Sequence, residues 1–156
     1  MQKLVLAITH LGAVAFGCAL GVYLLPILVA PDTPDIPAIE AAQSSGPRFE
    51  ARFDRDREDS DFFHWGEGVI KVFDDTIVFD GEMAPGPDYR LYLTPEYVET
   101  EDAFLRIKAQ STQVGSIKTF DGFIVEGISI LDSVEFNSVV VWCERFSQFI
   151  TSAKLQ

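Results

Sequence analysis

Two cysteines and two histidines are the side chains in this sequence best suited to redox or ligand chemistry, and only Cys143 and His64 fall outside a long apolar stretch near the N-terminus. Cys18 lies near the middle of that stretch, and a disulfide needs α-carbons within about 7 Å, so a bridge from Cys18 in a membrane helix to Cys143 in a soluble domain is excluded. A lone thiol in an oxidising compartment has three redox uses: a thiolate ligand to haem or another metal, a sulfenic acid or mixed-disulfide cycle, or an intermolecular disulfide. The structural alternative is that Cys143, directly after Val139-Val140-Val141-Trp142, serves as a small apolar core residue. His64 cannot support a zinc site built on several imidazoles; it is either a turn residue beside Gly66 or, with Cys143, an axial pair for haem. A Cys143–His64 dyad has no evident third member and no nucleophile elbow occurs, so a conventional enzyme is not indicated and no metal site is assigned.

The elements that must position these residues begin with the apolar stretch. From Leu4 to Ala30 there is no acid, Lys or Arg, and only Thr9 and His10 are clearly polar. As a helix these residues rise about 40 Å at ~1.5 Å each, more than the ~30 Å hydrocarbon thickness of a bilayer. Residues 1–30 therefore read as a transmembrane signal-anchor. A cleaved secretory signal is the alternative, but its apolar core runs to about 7–15 residues, and Leu28-Val29-Ala30 offers a large residue where a small one is needed. Lys3 and the amino terminus are the nearby cations before the helix, which places the N-terminus in the cytoplasm and the rest outside, in the periplasm if the cell is Gram-negative. Ala13, Gly17 and Gly21 recur every four residues, a stripe along which two copies would approach as a homodimer.

Beyond residue 30 the chain carries 11 Lys and Arg against 24 Asp and Glu, a net charge of −13. Nucleic acid is excluded as a partner by that balance, since a phosphate backbone is bound through Lys and Arg. The prolines of residues 31–47 predict an extended linker. Residues 48–156 read as one domain. Phe49, Ala51 and Phe53 alternate with charged residues as in a half-buried strand. The charge-dense run from Asp54 to Asp61 reads as a solvated loop, because alternating arginines would compete with calcium for its carboxylates. Gly68–Phe73 and Thr76–Asp80 flank Asp74-Asp75 as a hairpin, and Asp121-Gly122 between Gly115–Phe120 and Phe123–Val125 predicts another. The Gly86-Pro87-Asp88 turn launches a strand at Tyr89–Leu93. Glu101–Gln110 reads as a short helix, and Val139–Trp142 as a strand covered on both faces. The segment after Cys143 fits either a helix or a strand. The expected fold class is all-β, an antiparallel β-sandwich or barrel-like domain of about seven to nine strands behind one transmembrane helix.

Phe63-His64-Trp65-Gly66-Glu67-Gly68, then Gly86-Pro87-Asp88 leading to Leu91-Tyr92-Leu93, then Ser138 to Phe146, closing with Ala153 and Leu155, follow the order and spacing of a known family. In these positions the chain resembles the DM-thirteen domain, over essentially the whole soluble part. The resemblance implies an all-β fold, a strand after the cysteine, and a redox or electron-transfer role centred on Cys143. One departure is that Gly115-Ser116-Ile117-Lys118-Thr119-Phe120 keeps only the glycine and an aromatic of a more polar family stretch. The expectation is a membrane-tethered extracytoplasmic redox domain using Cys143 with His64 as candidate partner, held to the lipid bilayer by residues 4–30 and acting beside membrane redox proteins. Its cofactor is open, with haem the candidate. The competing expectation is a non-catalytic ligand- or protein-binding β-sandwich in which Cys143 is core.

Overall fold

The computed structural model describes residues 1–43, 45–127 and 135–156. Helix α1, Gln2–Leu28, is long and apolar enough to cross a membrane, as a signal sequence near an N-terminus also is. Its polar side chains turn back on their own backbone. Thr9 Oγ1 donates to Leu6 O at 2.9 Å and His10 Nδ1 lies 2.7 Å from the same oxygen, so neither polar group is left bare in an apolar surrounding.

The proline-rich segment departs from an extended tether. Ile36–Ala42 form a second helix, α2, capped by Asp35, whose side chain accepts from Ala38 N at 3.2 Å. Pro37 is tolerated because the first helical turn has no use for its missing N–H. What holds α2 down is packing: Ile36 is buried against Phe73 and Val78, with Ile39 and Ile124 alongside, and Glu40 pairs with Lys71 at 2.8 Å. Residues 29–35 alone are thus left to link α1 to the docked α2.

Among the described residues eight strands follow: β1 Phe49–Phe53, β2 Gly66–Val72, β3 Ile77–Met83, β4 Tyr89–Thr94, β5 Thr112–Ile117, β6 Phe123–Val125, β7 Ser138–Cys143 and β8 Gln148–Lys154. They build two antiparallel sheets in the orders β1-β2-β3-β6 and β5-β4-β7-β8. The inner faces meet in one core. Phe53, Ile70, Phe79 and Phe123 come from the first sheet and Leu91, Leu93, Val139, Val141 and Ile150 from the second. Phe79 lies with its ring centroid 5.1 Å from those of both Phe53 and Phe123. Along one edge Glu50 and Gln156 exchange backbone hydrogen bonds at 3.2 Å, which joins β1 to the chain beyond β8.

The outer face of the second sheet is covered by α3, Glu101–Ile107, which runs into a 3-10 turn at Lys108–Gln110. Thr100 caps α3 by accepting from Ala103 N, and Phe104 and Ile107 bury themselves against Tyr92, Val140, Trp142 and Phe149. The charged run before β2 is a loop, though not wholly solvated: Arg57 donates to Glu99 at 2.9 Å and to Ser152 O at 3.1 Å.

The hairpin expected at Asp121-Gly122 does not form. β5 pairs with β4 and β6 pairs with β3, so the Asp-Gly turn, with Gly122 at φ 114°, carries the chain from one sheet to the other. Burial decides against the local pairing. Phe123 and Val125 enter the core, Ile124 meets α2, and Val125 stacks on Gly115, where an added Cβ would lie 2.5 Å from it. The C-terminal ambiguity resolves as strand β8, with a bulge opposite Val141 and Trp142 that turns Ile150 inward.

Gly68 and Gly81 face each other across β2 and β3 with almost no space between their backbones. A Cβ on Gly68 would stand 2.4 Å from Asp80 O and 2.5 Å from Gly81 Cα. Gly68→Ala is expected to cost about 2 kcal/mol, read as a Tm drop of roughly 10 °C for a domain of this size. Gly46→Ala, where nothing lies within 4 Å, leaves Tm unmoved in the same thermal melt.

Candidate functional site

Cys143 is the last residue of β7, where the register sets it opposite Tyr89 of β4 and Gln148 of β8. Alternation along β7 turns Val139, Val141 and Cys143 toward the sandwich interior, and Val140 and Trp142 toward α3. The thiol is therefore buried, at 2% exposure, yet it does not meet hydrocarbon on every side. It lines a cavity of about 220 Å³ at one end of the sandwich. Tyr89 and Ile150 form the floor with it, Pro85, Gly86 and Pro87 one wall, and Phe63, His64 and Phe146 the rim. Ala19, Val22 and Tyr23 of α1 close the remaining side.

Opposed effects act on the sulfur. Burial pushes the Cys143 thiol up from its ordinary pKa, because a thiolate loses its hydration. Against that, the backbone N–H groups of Phe146, Arg145 and Asp88 donate to the sulfur and favour the anion, although burial prevails. Those donors come from the tight turn between β7 and β8, where Ser147 takes φ 53°, and from the strand start held by Glu144 N donating to Asp88 O at 2.9 Å. The Tyr89 hydroxyl is likewise raised, first by burial and then by its proximity to Cys143.

His64 reaches the same cavity from a tight turn built by Asp61. The Asp61 carboxylate accepts from the backbone N–H of Phe63 at 2.7 Å and of His64 at 2.8 Å, and its own N–H donates to His64 O at 3.0 Å. His64 Nδ1 lies 3.0 Å from that carboxylate. Burial alone would raise the Asp61 pKa, but these hydrogen bonds outweigh it and hold the carboxyl below its ordinary value. With Nδ1 so engaged, Nε2 is the ring nitrogen left for other chemistry.

Residues 58–155 match the family described as Electron transfer DM13, 98 of the 156 residues. The chain belongs to the DM13 family. Comparison with curated proteins and with solved structures returned no match. The DM13 match begins after β1, while the fold does not: β1 completes the first sheet through five pairs with β2.

In this DM13 domain Cys143 and His64 share one cavity. Haem is a poor fit to it. Sites for small organic ligands begin at roughly 300 Å³, and the cavity is about 220 Å³. Among the described residues no group of three or more His, Cys, Asp or Glu is arranged to hold a metal ion.

A second polar cluster escapes a reading of the sequence. On the outer face of the same sheet, Tyr92 Oη donates to the Glu144 carboxylate, which Lys108 also binds at 2.7 Å. Burial would raise the Glu144 pKa, but the hydrogen bonds from Lys108 and Tyr92 overcome it and lower it. Lys108 Nζ lies 5.3 Å from the Trp142 ring centroid, and Phe104 packs against both Trp142 and Tyr92 at 4.8 and 5.2 Å. The one hint in the sequence was Glu144 itself, an acid adjoining the cysteine at the end of an apolar strand.

Because the fold favours the neutral thiol, the stabilisation tied to Cys143 is whole below the unfolded pKa and is lost as pH rises through the higher folded one. Iodoacetamide alkylation of the native chain is expected to rise with pH around a midpoint above that of the urea-unfolded chain. Coincident midpoints would mean that the sulfur is solvated.

Proposed function

We propose that the chain is a membrane-tethered electron-transfer domain on the outer side of the membrane, with the Cys143 sulfur as its redox group and His64 as the side chain that exchanges protons beside it. The observation that carries this reading is the meeting of the only cysteine and the only histidine of the soluble part at one cavity, in a chain belonging to an electron-transfer family. The backbone N–H groups of Phe146, Arg145 and Asp88 favour a thiolate there, against the burial that raises the thiol overall. The tether is α1, with Lys3 on the cytoplasmic side.

A second reading has its own observation. At 2% exposure, with burial raising its pKa, Cys143 also suits a structural core position in a ligand- or protein-binding sandwich. The two differ in what the folded protein permits. The full chain in nanodiscs is exposed to hydrogen peroxide, which oxidises a thiolate to the sulfenic acid with release of hydroxide, and the product is trapped with dimedone and located by mass spectrometry. Under the redox reading Cys143 is labelled in the folded state, Cys143→Ser abolishes the label, and His64→Ala slows it. Labelling only after denaturation leaves the binding module as the function.

A further inference from the structure

Large apolar side chains in water are few on the domain, and their placement is uneven. Among the described residues beyond α2, Phe62, Phe63, Leu105 and Phe146 are the large hydrophobics that stand exposed, and three of the four gather at the end where α1 meets the sandwich. Phe62 is 81% exposed at the tip of the turn that Asp61 ties together. Phe63 packs edge-on to it at 5.0 Å and also meets the ring of Tyr23 in α1 at 6.1 Å. Phe146, from the turn beyond Cys143, shares a second apolar cleft with Val22, Leu25, Pro26 and Val29 of the helix.

We propose that Phe62, Phe63 and Phe146 dock the domain onto the outer leaflet of the bilayer crossed by its own anchor, so that the Cys143 cavity faces the lipid surface. This inference rests on the anchored reading of α1. Counting from Lys3, about 20 residues at ~1.5 Å each cross a ~30 Å hydrocarbon layer. Tyr23 therefore emerges at the outer interface, the depth at which tyrosine and tryptophan rings settle. Phe63 meets the ring of Tyr23 at that level, Phe146 shares a cleft with the helix residues beyond it, and Phe62 packs on Phe63, so their depth is set by the anchor.

Charge argues for the same occupant. The part of the chain beyond residue 30 carries −13 and is repelled by anionic lipid. At this end, however, Arg145 lines the cleft beside Phe146 and Arg55 stacks over the Trp65 ring at 3.6 Å, while Asp61 is occupied by His64. An apolar patch flanked by arginines suits the zwitterionic headgroup region, with phenyl rings below and guanidinium groups at phosphate depth.

The test uses the full chain in phosphatidylcholine nanodiscs at one chain per disc. Phe62→Trp, conservative at an exposed site, is read as a difference from the wild type, whose Trp65 and Trp142 set the background. Lipids brominated on the acyl chain near the headgroup serve as the quencher. The expected result is that the added emission is blue-shifted and loses most of its intensity with brominated lipid. Red, unquenched emission from a chain that resists carbonate extraction overturns the docking and leaves the anchor intact. Extraction of the chain, or a mass lacking residues 1–30, overturns the anchored reading and the docking with it. Emission indifferent to bromine but altered at two chains per disc assigns the patch to a second copy and overturns lipid as its occupant.

Discussion

Because Val139, Val141 and Cys143 point into the sandwich while Val140 and Trp142 point beneath α3, β7 must be covered on both faces, and the rest of the domain is arranged around that requirement. The strand is placed between β4 and β8, the first sheet supplies the inner cover, and α3 supplies the outer one through Phe104 and Ile107. Continuous apolar runs are what doubly covered strands look like. The chemistry of the end of β7 follows from the same geometry. Cys143 faces inward at the last pair of the ladder, where the core gives out, so it borders a cavity on one side and packed carbon on the other, while Glu144 just beyond emerges on the opposite face to meet Tyr92 and Lys108.

Much of this was legible from residue pattern alone. Alternation identified β1, the run Val139–Trp142 announced a buried strand, and Asp74-Asp75 marked a real hairpin between β2 and β3. The readings that failed share one cause: local turn or linker chemistry was outweighed by burial at a distance. Asp121-Gly122 is a good hairpin turn, yet Phe123 and Val125 gain more by entering the core beside β3 than by pairing with β5. Prolines at 31–37 suggested an extended tether, yet Ile36 and Ile39 had an apolar patch on the outside of the first sheet to cover.

The site was legible only as a pair of residues. Their rarity drew attention to Cys143 and His64, and the fold does bring both to one cavity. Nothing in the spacing announced the backbone N–H groups around the sulfur or the Asp61 turn that presents His64, because both depend on loop conformation rather than side-chain type. The Tyr92–Glu144–Lys108 cluster was hidden for a related reason. Its members lie far apart in sequence and meet only when β4, β7 and the turn after α3 are in place.

Docking of α2 on the first sheet has a consequence for encounters. With seven residues between the two helices, the fully extended link spans at most about 25 Å. A longer, free leash would let the domain sample a hemisphere and meet soluble molecules in any orientation. Under the anchored reading proposed above, a leash this short would confine it to a thin layer, its collisions would become those of lateral diffusion, and the species it met most often would be others held in the same sheet of lipid.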